Sequence, residues 1–272
     1  MSSDRLSREE ISRLEPSYFE LQAYWGITKR MGGLKATEEL VELCHINKGK
    51  YVLEVGCGVG ITPCYIAKRH GCGVVAVDLS ERMIDWSKKR AKREGVADRV
   101  EFRVADAQSL PFADAFFDVV ICESVTAFVE DKQRAVSEYV RVTKPGGYVG
   151  LNEATWAKTP LPELVAYLSR VMAKAEFLTS DGWKELLEGS GSTDIVVRTH
   201  KTSALSQWAN EIRGLDFKDF LRAWYRFLSL YIKSPAVRMY VKEMWPPPKS
   251  VFKVFQYFGY GIYVGRKRLA NT

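Results

Sequence analysis

Histidine and cysteine are scarce in this chain of 272 residues, numbering 3 and 5. His45, His70 and His200 lie far apart, at helix or strand ends, and none is expected to be catalytic. Cys44, Cys57, Cys64, Cys72 and Cys122 show neither metal-ligand nor disulfide spacing, so no metal is expected and an odd set of thiols implies a reducing cytosol. Cys122 lacks the preceding proline of a methylating nucleophile and is expected to be a buried free thiol. No run approaches the roughly 20 apolar residues that span a bilayer. The opening MSSDRLSREE is polar, unlike a signal peptide. A cytoplasmic protein is the expectation. Internal repeats and low-complexity tracts are absent. The glycine-rich segment lacks the Lys and Ser/Thr that grip phosphates, which excludes a P-loop.

What is present starts at residues 51–60, YVLEVGCGVG. Val52, Leu53 and Val55 are a β-prone run, Gly56, Gly58 and Gly60 follow, and an amphipathic stretch begins at Ile61. Strand, glycine turn and helix form the front end of a nucleotide-type βαβ unit. Glycine lets backbone turn tightly and approach a ligand. Asp78, closing the next strand in AVDLS, can accept both hydroxyls of a ribose. Glu54, placed in the turn two residues before Gly56, would repel a pyrophosphate but suits a cationic amino-acid group.

The pattern E-x-G-x-G-x-G resembles the first motif of the class I S-adenosyl-L-methionine (SAM) methyltransferases. Arg103-Val104-Ala105-Asp106-Ala107 is similar to that family's third motif, and Lys144-Pro145-Gly146-Gly147 to its turn into the fifth strand. Met31-Gly32-Gly33-Leu34-Lys35-Ala36-Thr37 resembles the G-G-x-x-A-T entry of type 11 methyltransferases, the group of phosphoethanolamine, sterol, tocopherol and sarcosine enzymes. The resemblance covers residues 30–155 well. It implies SAM as cofactor, bound by Gly32, Gly33, Glu54, Gly56, Cys57, Gly58, Gly60, Asp78, Leu79, Met83, Asp106, Ala107 and Glu123. In it the acidic residue of the first motif anchors the methionine end, and Asp106 and the next backbone N–H hold adenine.

An α/β fold follows: a Rossmann-like, seven-stranded methyltransferase sheet with an N-terminal helical cap (1–45), a SAM-binding core (46–203 plus 259–268) and a helical insertion before the last strand (204–258). Strands are expected at 51–55, 73–78, 100–105, 116–121, 147–153, 194–200 and 261–266. Helices are expected at 8–13, 17–24, 36–44, 60–70, 81–94, 130–142, 160–175 and 180–190, the last capped by Ser180. Leu205, Trp208, Ile212, Phe217, Phe220, Leu221, Trp224, Phe227, Leu228 and Tyr231 have helical spacing, and Pro246-Pro247-Pro248 ends that run. The insertion is read as a lid over the strand ends.

Net charge is +7, yet residues 201–272 hold 13 basic against 4 acidic side chains and 15 of the 33 aromatic ones. A cationic, aromatic lid suits an apolar or amphiphilic small-molecule acceptor of lipid, quinone, sterol or prenyl type. With Lys218, Arg222, Arg226, Lys233 and Arg238 it can also rest on an anionic membrane, a peripheral contact through 204–258. Nucleic acid is not the expected partner: no recognised RNA-binding module is present. Two further absences bear on the acceptor. No NPPY-like tetrad follows strand four, which argues against adenine and glutamine amines. Phe128 stands where phosphoethanolamine enzymes place a histidine, which argues against a phosphobase. The rim residues Glu123, Ser124, Thr126, Phe128 and Glu153 are where a base belongs, and Glu123 and Glu153 are the catalytic candidates. Alternatives are an N-methyltransferase of a small polar amine, a protein or RNA methyltransferase using the basic C-terminal region, and a non-catalytic SAM-fold binding subunit.

Overall fold

A computed structural model describes residues 17–203, 217–243 and 249–269, without the side chains of 217–220, 250 and 252. The expected helix at 8–13 and Leu205, Trp208, Ile212 and Pro246-Pro247-Pro248 lie outside the described residues, as do the side chains of Phe217, Lys218 and Phe220. In chain order the elements are α1 (Tyr18–Trp25), α2 (Gly33–Leu43), β1 (Tyr51–Val55), α3 (Ile61–His70), β2 (Gly73–Asp78), α4 (Glu81–Glu94), β3 (Val100–Val104) and β4 (Phe117–Glu123). They continue with α5 (Lys132–Val142), β5 (Thr143–Trp156), α6 (Pro162–Val171), β6 (Leu178–Thr179), α7 (Ser180–Gly189), β7 (Ser192–Lys201), α8 (Phe217–Lys233), α9 (Pro235–Glu243), α10 (Val254–Tyr257) and β8 (Phe258–Lys267).

Seven strands lie in the order β3-β2-β1-β4-β5-β8-β7, with two-residue β6 attached to β5. β1 to β5 pair in parallel, and β8 runs antiparallel to both β5 and β7. The order reverses between β1 and β4, and the crevice beyond their carboxyl ends is where open α/β sheets hold ligands. The seven-stranded Rossmann-like expectation holds.

The strands read as unbroken apolar runs because both faces are covered. On β1, β2 and β4, Leu53, Val75 and Val120 join a core with Tyr139 of α5 and Trp183 of α7. Val52, Val74, Ala76 and Ile121 join the opposite core with Leu40 of α2 and Ile66 of α3. The period-2 geometry of a strand sends alternate side chains into two different cores.

Helix ends follow local chemistry. Ser80 caps α4 by accepting the Met83 N–H, Lys92 and Arg93 stand in its last turn, and Gly95 closes it at φ 71°. Several expectations shift: the fifth and last strands are longer than expected, at Thr143–Trp156 and Phe258–Lys267, and the helix expected at 160–175 spans Pro162–Val171. α7 is capped by Thr179, which accepts the Gly182 N–H, so the cap lies one residue before Ser180. α2 starts at Gly33, three residues ahead of the expected Ala36, because Gly32 adopts φ 71° as its cap. β4 runs to Glu123, so this carboxylate ends the strand instead of following it. Glu54 likewise lies on β1, not in the turn.

α8 packs on α1: Trp25 meets Phe227 edge-on at 5.0 Å, and the Arg226 guanidinium donates to the Trp25 carbonyl and lies 4.4 Å above the Trp86 ring of α4. No helix of the described residues is long and apolar enough to cross a membrane.

Trp183 is fully buried between α7 and the sheet, with its indole N–H donating to the Ala154 carbonyl at 3.2 Å. Trp183→Ala is expected to cost about 3–5 kcal/mol in a denaturant titration. Trp183→Phe keeps most of the volume and should cost about 1 kcal/mol, mainly the lost hydrogen bond. Equal losses in the two variants would show that packing at this position does not govern stability.

Candidate functional site

The glycine loop between β1 and α3 is shaped by three residues with positive φ. Gly56 sits at φ 78°, and a Cβ there would meet Val125 Cγ2 at 2.2 Å. Gly58, at φ 53°, faces Thr28 of the segment ahead of α2. Gly60, at φ 76°, packs on Ser87 of α4. Glycine at 56 and 58 therefore lets two chain segments close onto the loop, while glycine at 60 lets helix approach helix. The loop is held from below by the Gly56 and Cys57 amides donating to the Val77 carbonyl.

Asp78 ends β2 beside this loop. Its Oδ2 accepts the Gly58 N–H at 2.8 Å and its Oδ1 the Ser80 N–H at 2.9 Å. Burial pushes its carboxyl up, opposed by the backbone N–H groups of Ser80, Gly58 and Leu79. Each oxygen keeps a lone pair, which is what two vicinal hydroxyls require. Asp106, after β3, is more exposed and folds onto the Gln108 N–H at 2.8 Å.

Glu54 points its carboxylate into the same space. It is buried, and its Oε2 has no hydrogen-bond partner. Burial, then the negative charge of Glu123, pushes its carboxyl well above the usual range, and Arg30 opposes them. A buried carboxylate oxygen without a donor is costly.

The two rim carboxylates differ. Glu123 is saturated: it accepts from Thr37 at 3.0 and 3.1 Å, from Thr62 at 2.8 Å and from the Asn152 amide at 3.0 Å. Those donors come from α2, α3 and β5, so Glu123 is a structural clamp and not a free base. Glu153 is fully buried on β5, where Oε1 accepts the Val125 and Thr126 N–H groups at 3.1 and 2.7 Å while Oε2 has no partner. Burial raises its carboxyl to about 7 against the pull of those N–H groups. The Cys122 thiol is buried and pushed up, so it is no nucleophile.

These groups line a single cavity of about 1230 Å³. Its wall holds Glu54, Gly56, Cys57, Gly58, Asp78, Leu79, Met83, Asp106, Ala107, Glu123 and Glu153. Gly32, Gly33 and Gly60 are not in the wall. Gly32 has a packing role, since a Cβ on it would meet the Tyr260 ring at 2.5 Å. The far end is apolar: Phe19 of α1, Phe128, Leu168 and Met172, Phe177, Val254 and Phe258. Phe128 is the hinge of that wall, stacked on Tyr18 at 5.7 Å and edge-on to Phe19 at 5.0 Å. Of the described residues of the insertion, 254, 255 and 258 enter the wall; α8 and α9 stand behind α1. The lid aromatics expected over the acceptor, Trp224 and Tyr231, instead lie partly exposed outside. Thr28, Arg30 and Tyr18 escaped the sequence reading because they precede every motif with a recognisable spacing. Among the described residues no group of His, Cys, Asp and Glu side chains can hold a metal.

A SAM molecule fits these residues. The orphaned Glu54 oxygen and Arg30 suit the ammonium and carboxylate of its methionine part, Asp78 the ribose, and Asp106 with Ala107 the adenine.

Residues 53–151 match the family described as a methyltransferase domain. An uncharacterised protein of Haemophilus influenzae is 31% identical over 180 residues, 65% of this chain and 72% of that protein. Phosphoethanolamine N-methyltransferase 3 of Arabidopsis thaliana is 28% identical over 210 residues, 71% of this chain but only 42% of the plant protein. The Haemonchus contortus phosphoethanolamine N-methyltransferase 2, solved with SAM, shares the fold with a TM-score of 0.67 and 20% identity, over 97% of this chain and 60% of that one.

Two measurements check the site. Asp78→Ala should weaken SAM binding in calorimetry by roughly 10-fold or more, the value of charge-assisted hydrogen bonds; unchanged affinity would remove Asp78 from the ribose site. Glu153 is harder to bury as its charge appears. Its folded value of about 7 lies above the usual carboxylate value of 4.5, so the native state loses stability as pH rises from 4.5 to 7. Glu153→Gln removes that loss, so its melting temperature relative to wild type should rise across this window and level off above it.

Proposed function

We propose that this chain, which belongs to the SAM-dependent methyltransferases and is an enzyme of that family with SAM as its cofactor, transfers the methyl group to a small apolar or amphiphilic acceptor. One observation carries the acceptor class. The polar cofactor end and a wall of phenylalanine, leucine and methionine share one cavity of about 1230 Å³. Pockets for a single ligand are typically about 300–1,000 Å³, so this volume suits a donor and an acceptor side by side.

When bound, SAM supplies a methyl group on a sulfonium that departs without acid assistance. The protein's tasks are then orientation and the exclusion of water. Glu54, Arg30, Asp78 and Asp106 anchor the two ends of the cofactor. Gly56 and Gly58 let backbone close around it, and Glu123 keeps the surrounding segments in place. The phenylalanine wall takes up the apolar body of the acceptor, and Glu153 stands where a proton can be accepted. Residues 1–45, 46–203 with 259–268, and 204–258 act in this reading as cap, cofactor core and acceptor-side insertion.

Phe177 and Phe258 pack edge-on at 4.9 Å in the acceptor wall. A Phe177→Ala, Phe258→Ala double variant should raise the KM for the acceptor about 10-fold or more and leave SAM affinity unchanged. Equal loss of both would place the wall at the cofactor. The acceptor itself is named by incubating the protein with labelled SAM and, in parallel, lipid, small-polar and macromolecular cell extracts. Label in the lipid-soluble fraction is expected, and label in RNA or protein alone would overturn the small-molecule reading.

A peripheral membrane contact is part of the proposal. Leu221, Trp224, Tyr225, Leu228 and Ile232 form an exposed stripe along α8, opposite buried Ala223 and Leu230, and Arg222 and Lys233 flank it. Such a face suits an anionic lipid surface. Flotation with phosphatidylserine-containing vesicles should carry the protein upward, less so after Trp224→Glu and Leu228→Glu. No flotation of the wild type would remove the membrane contact and leave the methyl-transfer reading intact.

A further inference from the structure

Part of the cavity wall is a helix too short to hold itself. α1 has 8 residues, and a helix under about 12–15 residues is marginal in water. Its N-terminus is capped locally, by the Ser17 hydroxyl accepting the Glu20 N–H at 3.2 Å. At its C-terminus the Gly26 N–H donates to the Gln22 carbonyl, and the last turn holds no basic side chain. The other carbonyls of that end need donors from elsewhere. Two helices supply them. The Trp86 indole N–H of α4 donates to the Ala23 carbonyl at 2.9 Å, and Arg226 Nη1 of α8 donates to the Trp25 carbonyl at 3.0 Å. The same guanidinium lies 4.4 Å above the Trp86 ring, so one cation joins α1, α4 and α8. A cation here also meets the negative end of the helix dipole. Gly26 lets the three meet: at φ 70°, a Cβ on it would stand 3.1 Å from both Arg226 Nη1 and Trp86 Cε2.

α1 belongs to neither of the two cores that flank the sheet. Leu21 packs with Leu230 of α8 and Val237 of α9, and Ala23 packs with Val59 and Met83, in two small separate clusters. Another face of α1 is cavity wall: Tyr18, Phe19 and Gln22. Tyr18 and Phe19 pack on Phe128 at the acceptor end. Beyond Gly26 the chain runs to Met31, which the Ser124 hydroxyl and the Asn152 amide hold in place. Between these two anchors, Thr28 faces Gly58 of the glycine loop and Arg30 acts on Glu54. Both residues line the cavity. Freeing the anchor at α1 therefore loosens the wall at both ends.

Resting on the methyltransferase reading of this cavity, we propose that Arg226 is a positioning residue for methyl transfer. It is not itself part of the wall. By completing the C-terminal end of α1 it holds Tyr18 and Phe19 toward the acceptor and Thr28 and Arg30 toward the cofactor. α8 thus serves the reaction from behind α1. A ligand that needs α1 in place binds with an apparent affinity reduced by the fraction of molecules in which α1 is docked. Arg226 sets that fraction without touching the ligand.

The test uses the full chain and reads S-adenosylhomocysteine binding by calorimetry, with hydrogen exchange of the backbone amides alongside. The wild type is measured first. If it does not bind, the cofactor reading of the cavity falls and this proposal with it. Arg226→Ala should weaken binding roughly 10-fold, the value of one hydrogen bond to a charged group. Arg226→Lys keeps the cation but not the planar stack on Trp86, so it should recover part of the loss. Trp86→Phe keeps a ring beneath Arg226 and loses the donor to Ala23, so it should give a smaller loss. Exchange in Arg226→Ala should quicken over residues 18–31 and keep wild-type rates in β1 and β4, because α1 lies outside the sheet cores. A purely structural role would loosen the sheet as well and would not single out residues 18–31. The proposal is overturned if Arg226→Ala binds as tightly as the wild type, if Arg226→Lys binds no better than Arg226→Ala, or if the faster exchange extends into β1 and β4. An Arg226→Ala chain that does not fold overturns it too, since Arg226 would then belong to the global fold. Each of those results leaves the cofactor reading standing.

Discussion

The buried carboxylate of Glu123 is the constraint on which the site depends. It ends β4 at the point where the strand order reverses, and it accepts from Thr37, Thr62 and Asn152. These donors bring α2, α3 and β5 to a single pair of oxygens. Asn152 also donates to the Met31 carbonyl, and the Ser124 hydroxyl accepts the Met31 N–H, so the segment leading into α2 is held at both sides of one residue. Ser124 takes a φ of 58° to do so, a left-handed conformation that costs a non-glycine residue about 1–2 kcal/mol. In a low dielectric a fully satisfied network of this kind rigidifies, whereas a half-satisfied one destabilises.

Two other buried carboxylates show the opposite design. Glu54 and Glu153 each keep one oxygen without a donor. All three line the same cavity. The protein thus holds one carboxylate fully satisfied, which keeps its segments together, and leaves one oxygen of each of the other two without a donor. Each buried oxygen without a donor costs stability.

Much of the glycine-loop end of the cavity was legible from the chain. Gly56, Gly58 and Asp78 stand at fixed offsets because a strand, a tight turn and a helix are local structures, and local structure has local spacing. Leu79, Met83, Asp106 and Ala107 follow from the same units and line the cavity. Gly60 and Gly32 were legible as glycines but not for their role: what each avoids, Ser87 in one case and Tyr260 in the other, is supplied by a distant part of the chain. The acceptor half was only compositional. The aromatic richness of the C-terminal region suggests a lid wall, yet among the described residues the wall draws Phe19, Phe128 and Phe177 from elsewhere and Phe255 and Phe258 from that region.

By itself, the sequence determined the parallel strands and the glycine turn, because each rests on periodicity or on residues a few positions apart, and its motifs carried the resemblance that implies the methyl donor. Tertiary structure alone decided which of two similar rim carboxylates is closed and which is open. Glu123 finds donors 86, 61 and 29 positions away, and Glu153 finds them only for one oxygen. Spacing along the chain carries no record of that difference, since it arises from which strands become neighbours and from the water their packing excludes.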